Sequence, residues 1–111
     1  MEVPAAESVS VTDDTLAVDL SDGRTISVPL AWFPRLVHGR PKERKRWRLI
    51  GRGQGIRWED LDEDISVKGL LAGRPSGESQ SSYQRWLEHR RERSAPRPPP
   101  SRKRLTASPR P

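Results

Sequence analysis

The chain has 111 residues, two His and no Cys, and its 21 Lys/Arg against 15 Asp/Glu give a net charge of +6. That length allows one small domain, and the missing Cys excludes disulfides and leaves too few ligands for a structural zinc site. Residues 1–10 lack the basic head and apolar stretch of a signal peptide, and no run approaches the roughly 20 apolar residues that span a bilayer, so the chain reads as a soluble, cytoplasmic protein.

Residues 1–8 read as a flexible lead. Val9 and Val11 form a short alternating lead-in, with a turn near Asp13 and Asp14. In "TLAVDLSDGRTISVPL", residues 15–30, Leu16, Val18 and Leu20 alternate with polar neighbours, and so do Ile26, Val28 and Leu30. Period two with one apolar face predicts a half-buried hairpin. A two-residue Asp22-Gly23 loop would set Val18 opposite Ser27. A three-residue loop, Ser21-Asp22-Gly23, pairs Val18 with Ile26 and Leu16 with Val28, and places Gly23 where a left-handed backbone is needed.

Pro29 ends the second strand. Trp32, Phe33, Leu36 and Val37 recur at three and four, predicting a short helix with Pro34 in its first turn and Gly39 at its end. Pro41 and Glu43 suit the first turn of another short helix. Trp47 and Leu49 alternate before a Gly-rich link, Ile56 and Trp58 after it, predicting a second hairpin. Ile65 and Val67 read as a short strand leading into a helical turn. Trp32, Trp47 and Trp58 are the large core candidates.

Residues 76–80 form a linker. Residues 81–93 read as an amphipathic helix with Tyr83, Trp86 and Leu87 on one stripe, Arg90 extending it, and Ser79 or Ser81 as cap. Residues 94–111, mostly Pro, Arg and Ser, have little to bury and read as a disordered basic tail. The fold class is therefore α+β: a small antiparallel sheet of two hairpins with short helices over residues 9–75, then the C-terminal helix and tail.

Charge is unevenly distributed. Residues 35–57 hold nine basic groups against Glu43 alone, and residues 59–64 are acidic except for Leu61. These runs suit internal complementarity within a small domain. The acids Glu59, Asp60, Asp62, Glu63 and Asp64 read first as a solvated loop and second as ion-pair partners of the basic run. They lack the oxygen-ligand pattern of a calcium loop, and no metal site is assigned. Asp64, next to Ile65, is the acid placed to take backbone N–H bonds or to meet a buried Arg.

"GRGQG", residues 51–55, leads into an extended pattern rather than a helix, so it reads as a turn between strands and not as a phosphate loop. Neither His belongs to a triad, no Ser sits in a nucleophile elbow, and no catalytic residue or cofactor is assigned. The chain is expected not to be an enzyme. Arg40, Lys42, Arg44, Lys45, Arg46 and Arg48 flank Trp47 and, with Arg102, Lys103 and Arg104 of the tail, are the candidates for nucleic-acid contact. The alternative for them is a solvated helix face. Tyr83, Trp86, Leu87 and Arg90 are the candidate partner-binding residues, set to fold back on the domain, meet a protein partner or meet a second copy. Anchoring to a membrane is not expected.

The residues 9–73 also carry a resemblance. Ser21-Asp22-Gly23-Arg24, the "VPL" exit, Trp58 and Asp64-Ile65, in that order, resemble the bacterial domain-of-unknown-function family numbered 2442. The resemblance implies a compact α+β fold with a small antiparallel sheet and no established catalytic residues. Some members resemble components of toxin–antitoxin-like gene pairs, and some carry helix-turn-helix extensions. This chain has instead one helix and a basic tail, which fits an antitoxin-like protein-binding module better than a transcription factor. A nucleic-acid accessory protein is the competing expectation.

Overall fold

The computed structural model describes residues 3–94. Strands β1 (Ala6–Val11), β2 (Thr15–Leu20) and β3 (Thr25–Pro29) form one antiparallel sheet in that order. Strands β4 (Trp47–Ile50), β5 (Gly55–Trp58) and β6 (Glu63–Ser66) form a second. Each predicted hairpin is thus present and extended by a third strand. The strand before the first hairpin starts at Ala6, ahead of Val9, and an irregularity between Ala6 and Ser8 bends its start.

The first hairpin has the three-residue loop. Val18 pairs with Ile26 and Leu16 with Val28. Leu20 N–H donates to the Arg24 carbonyl at 2.8 Å, and Gly23 takes φ +93°, where a Cβ would be strained. The Asp22 carboxylate accepts the Arg24 backbone N–H at 3.1 Å and its Nε at 2.8 Å. At the other end, the Thr12 hydroxyl accepts the Thr15 N–H at 3.1 Å, and Asp14 accepts from the hydroxyls of both threonines. Strand alternation then turns Leu16, Val18, Leu20 and Val28 inward. The opposite face is polar, with Asp19 accepting from Ser8 and Thr25 at 2.6 Å each.

Between the sheets in sequence lie a 3₁₀ turn (Leu30–Trp32), α1 (Pro34–His38) and α2 (Pro41–Arg44). Pro34 and Pro41 each open a helix, where a missing N–H costs nothing. Gly39 closes α1 against Leu61, whose side chain would lie 2.7 Å from any added Cβ. A second 3₁₀ turn (Glu59–Leu61) joins β5 to β6, and α3 (Val67–Leu71) is capped by the Ser66 hydroxyl, which accepts the Gly69 N–H at 2.9 Å.

The core is mainly aliphatic. Leu16, Val18, Leu30, Leu36, Ile56, Leu61 and Val67 are wholly buried, and Phe33 is nearly so. Of the three tryptophans expected there, only Trp58 is fully buried; Trp32 and Trp47 are half-buried. Trp58 lies in the central strand β5, whereas Trp47 lies on the edge strand β4, one flank of which has no strand neighbour. The chain divides into two compact units after Glu78. The second contains α4 (Gln80–Ser94), and the tail predicted to be disordered lies outside the described residues.

Candidate functional site

The basic run and the acidic run meet across the second sheet. Register pairs Arg48 with Arg57 and Arg57 with Asp64, so all three stand on its outer face. Arg57 lies among three carboxylates: Nη1 is 2.9 Å from Asp64, Nη2 is 2.9 Å from Asp62 and Nε is 3.2 Å from Glu59. Hydrogen bonds to these acids, Asp64 first, raise the Arg57 pKa further. Arg48 donates from Nε to Glu59 at 2.9 Å, and Arg46 lies 3.5 Å from Asp60. Donation from Arg48 and then Arg57 holds the Glu59 carboxyl below the usual carboxylate range.

Glu59, Asp60, Asp62 and Asp64 are therefore ion-pair partners of the basic run while remaining exposed to water. Leu61 is the reason. It is buried, so it pins the 3₁₀ turn and holds its acidic neighbours beside the sheet. Asp62 follows with φ +50°, a left-handed conformation that directs its carbonyl to Arg35 Nη1 at 2.7 Å. Asp64 meets Arg57, as its place before Ile65 suggested, although both groups keep water contact.

Arg44 is the buried charge. Its Nε donates to the Leu36 carbonyl and its Nη2 to the Val37 carbonyl, both at 2.8 Å, and its Nη1 lies 3.2 Å from Asp13. These bonds engage carbonyls at the end of α1; that of Leu36 also accepts the Gly39 N–H at 3.1 Å. The Arg44 carbonyl in turn accepts the Trp58 indole N–H at 3.0 Å. Arg44 thus leaves the set of candidates for nucleic-acid contact, since its guanidinium is enclosed by protein. Arg46 and Arg48 are committed to acids. Arg40, Lys42 and Lys45 are exposed and make no ion pair among the described residues. Arg102, Lys103 and Arg104 lie outside the described residues.

Glu63 was one acid among five in the sequence, and the structure separates it. Its register partner is Trp58, so it stands on the core-facing side of the sheet, opposite to Asp64. Burial pushes its carboxyl up to about 7. The signal was present in the alternation: Ile65 faces inward, so Glu63, two residues earlier, does as well. The carboxyl lines a cleft of about 240 Å³ together with Phe33, Ser66, Leu70, Arg74 and Ser76. Among the described residues, no group of three or more His, Cys, Asp or Glu is arranged to hold a metal ion, and no helix is long and apolar enough to cross a membrane.

In the second unit, Ser79 caps α4. Its hydroxyl accepts the Ser82 N–H at 3.1 Å and its carbonyl the Tyr83 N–H at 3.0 Å. The Tyr83 and Trp86 rings stack with centroids 5.8 Å apart, and the Arg90 guanidinium lies 5.0 Å from the centre of the Trp86 ring. Leu87 is half-buried. The apolar stripe is narrow, for the rest of the helix is strongly polar.

The family model for the protein of unknown function DUF2442 matches residues 6–76. The chain belongs to the DUF2442 family. Among solved structures, this DUF2442 chain is similar to a crystal structure of a protein of unknown function from Rhodospirillum rubrum, with 27% identity and a TM-score of 0.60 over 72% of this chain and 96% of that one. It also shares its fold with an uncharacterised protein from Chromobacterium violaceum solved by NMR, with 22% identity and a TM-score of 0.57 over 78% of this chain and 75% of that one. No curated protein matches. Helix α4 follows the family-matched segment, so the candidate partner-binding residues lie outside it.

Proposed function

We propose that this DUF2442 chain is a non-enzymatic module that binds a protein partner through α4. The observation that carries the reading is the Tyr83–Trp86–Arg90 stack on a helix that lies outside the family-matched residues. Residues 79–111 hold nine Lys/Arg and two Asp/Glu, so the matching surface is an apolar slot rimmed by acids. The antitoxin-like form of this role, in which the helix masks a cognate toxin, rests on the family resemblance. Commitment of Arg44, Arg46 and Arg48 to internal partners weighs against the nucleic-acid reading.

The test is affinity purification of the full chain from its native cells. The expected result is one stoichiometric protein, absent from eluates of the Tyr83→Ala/Trp86→Ala variant. Recovery of no partner, or equal recovery with the variant, overturns the reading. A salt titration with DNA and RNA accompanies it: tight binding that survives physiological salt would favour the nucleic-acid role instead.

A further inference from the structure

Residues 74–78 run as an irregular strap from α3 to the end of the domain. Arg74 N–H donates to the Gly69 carbonyl at 3.0 Å, and Ser76 N–H donates to the Trp32 carbonyl at 2.9 Å. At its end the Glu78 carboxylate accepts Arg35 Nε at 2.8 and 3.0 Å and also meets Nη2. This ion pair is largely enclosed, with side chains 15% and 10% exposed. The next residue, Ser79, caps α4. The Arg35–Glu78 clamp thus holds the last residue of the first unit.

Glu63 lies beneath the strap, in the cleft that Arg74, Pro75, Ser76 and Gly77 help to wall. Its carboxyl has no hydrogen bond or ion pair among the described residues. Arg35 is the cation nearest in effect, but its three nitrogens are engaged: Nε and Nη2 by Glu78, Nη1 by the Asp62 carbonyl with Asp62 Oδ2 at 3.5 Å. The other charges that act on Glu63 are Glu78 from the strap, Asp62 from the preceding turn and Asp64 from its own strand, all acidic; Arg74 lines the same cleft. A neutral Glu63 places no charge in the cleft under the strap. An ionised Glu63 either draws Arg35 away from Glu78 or stands half-buried without a partner, and both outcomes favour an open strap.

We propose that Glu63 and the Arg35–Glu78 clamp form a pH-responsive latch, in which ionisation of Glu63 loosens residues 74–78. The sign follows from linkage. A closed strap holds the Glu63 carboxyl near 7, and an open strap hydrates it and returns it toward its ordinary value. Opening is thus promoted as pH rises between those values and levels off above 7. The inference is independent of what α4 binds.

The test is amide hydrogen exchange of the full chain by NMR at pH 5, 6, 7 and 8, with rates corrected for intrinsic exchange. Protection of the Ser76 N–H is expected to fall by about tenfold or more across this range in the wild type, since each pKa unit of difference corresponds to tenfold in the opening equilibrium. Glu63→Gln should keep high protection throughout, and Arg35→Gln should have low protection throughout. Carbon NMR of the wild-type Glu63 carboxyl gives a readout that needs no variant, with an expected midpoint near 7. Protection independent of pH in the wild type, a fall that persists in Glu63→Gln, or a carboxyl midpoint near 4.5 each overturns the latch.

Discussion

Up to Glu78 the chain holds twelve Lys/Arg and thirteen Asp/Glu; from Ser79 onward it holds nine against two. In the domain, arginines are largely matched: Arg44 to carbonyls at the end of α1, Arg57 to three acids, Arg35 to Glu78 and Asp62. In α4, Arg90 covers an indole ring, and four arginines accompany two glutamates. Basic residues are thus balanced by acids in one region and exceed them in the other. Net charge alone hides this, because +6 is the sum of a near-neutral domain and a strongly basic extension.

The comparison fails first if the domain is not held from within. Trp58→Ala should lower the unfolding free energy by about 3–5 kcal/mol, by loss of buried area and of the indole bond to Arg44. Urea denaturation measures this. Arg44→Ala should cost roughly 2–3 kcal/mol, because carbonyls of α1 lose a charged donor. Lys42→Ala, on an exposed face, should stay within about 0.5 kcal/mol of wild type. Equal effects of the Arg44 and Lys42 substitutions would remove the distinction between closing and presented charge.

Glu63 sharpens the comparison by pH. Its folded pKa, about 7, lies above the ordinary 4.5. Between these values the unfolded chain releases a proton that the folded chain keeps. The contribution is full below about 4.5, declines as pH rises, and is lost above 7. Urea midpoints of wild type and Glu63→Gln should therefore coincide at pH 4.5 and separate by pH 8, with the variant more stable. The smallest effect is expected at Arg57. Its cluster is open to water, so Arg57→Gln should destabilise less than Arg44→Ala, and the difference from wild type should shrink in 1 M salt, where the Debye length is about 3 Å.

Legibility in the sequence followed the range of each interaction. The first hairpin was readable to the register, because period two and the need for a left-handed residue at Gly23 are local facts. The Ser79 cap and the Tyr83–Trp86–Arg90 stripe were readable for the same reason. Trp47 is less buried than its hydrophobicity suggests, because hydrophobicity does not reveal which strand is an edge, and Trp32, in the 3₁₀ turn, is likewise half-buried. The partners of Arg44 and Arg35 lie on other elements, up to 43 residues away, and no local pattern encodes them. Glu63 falls between: its inward direction followed from Ile65, but its consequence depended on where residues 74–78 run.

The most direct measurement of the division between domain and extension is partner capture by two charge-reversed chains. One carries Arg40→Glu, Lys42→Glu and Lys45→Glu in the domain; the other carries Arg85→Glu, Arg90→Glu and Arg91→Glu in α4. Capture undiminished in the first and abolished in the second is the predicted result. Loss in the first with retention in the second would contradict it.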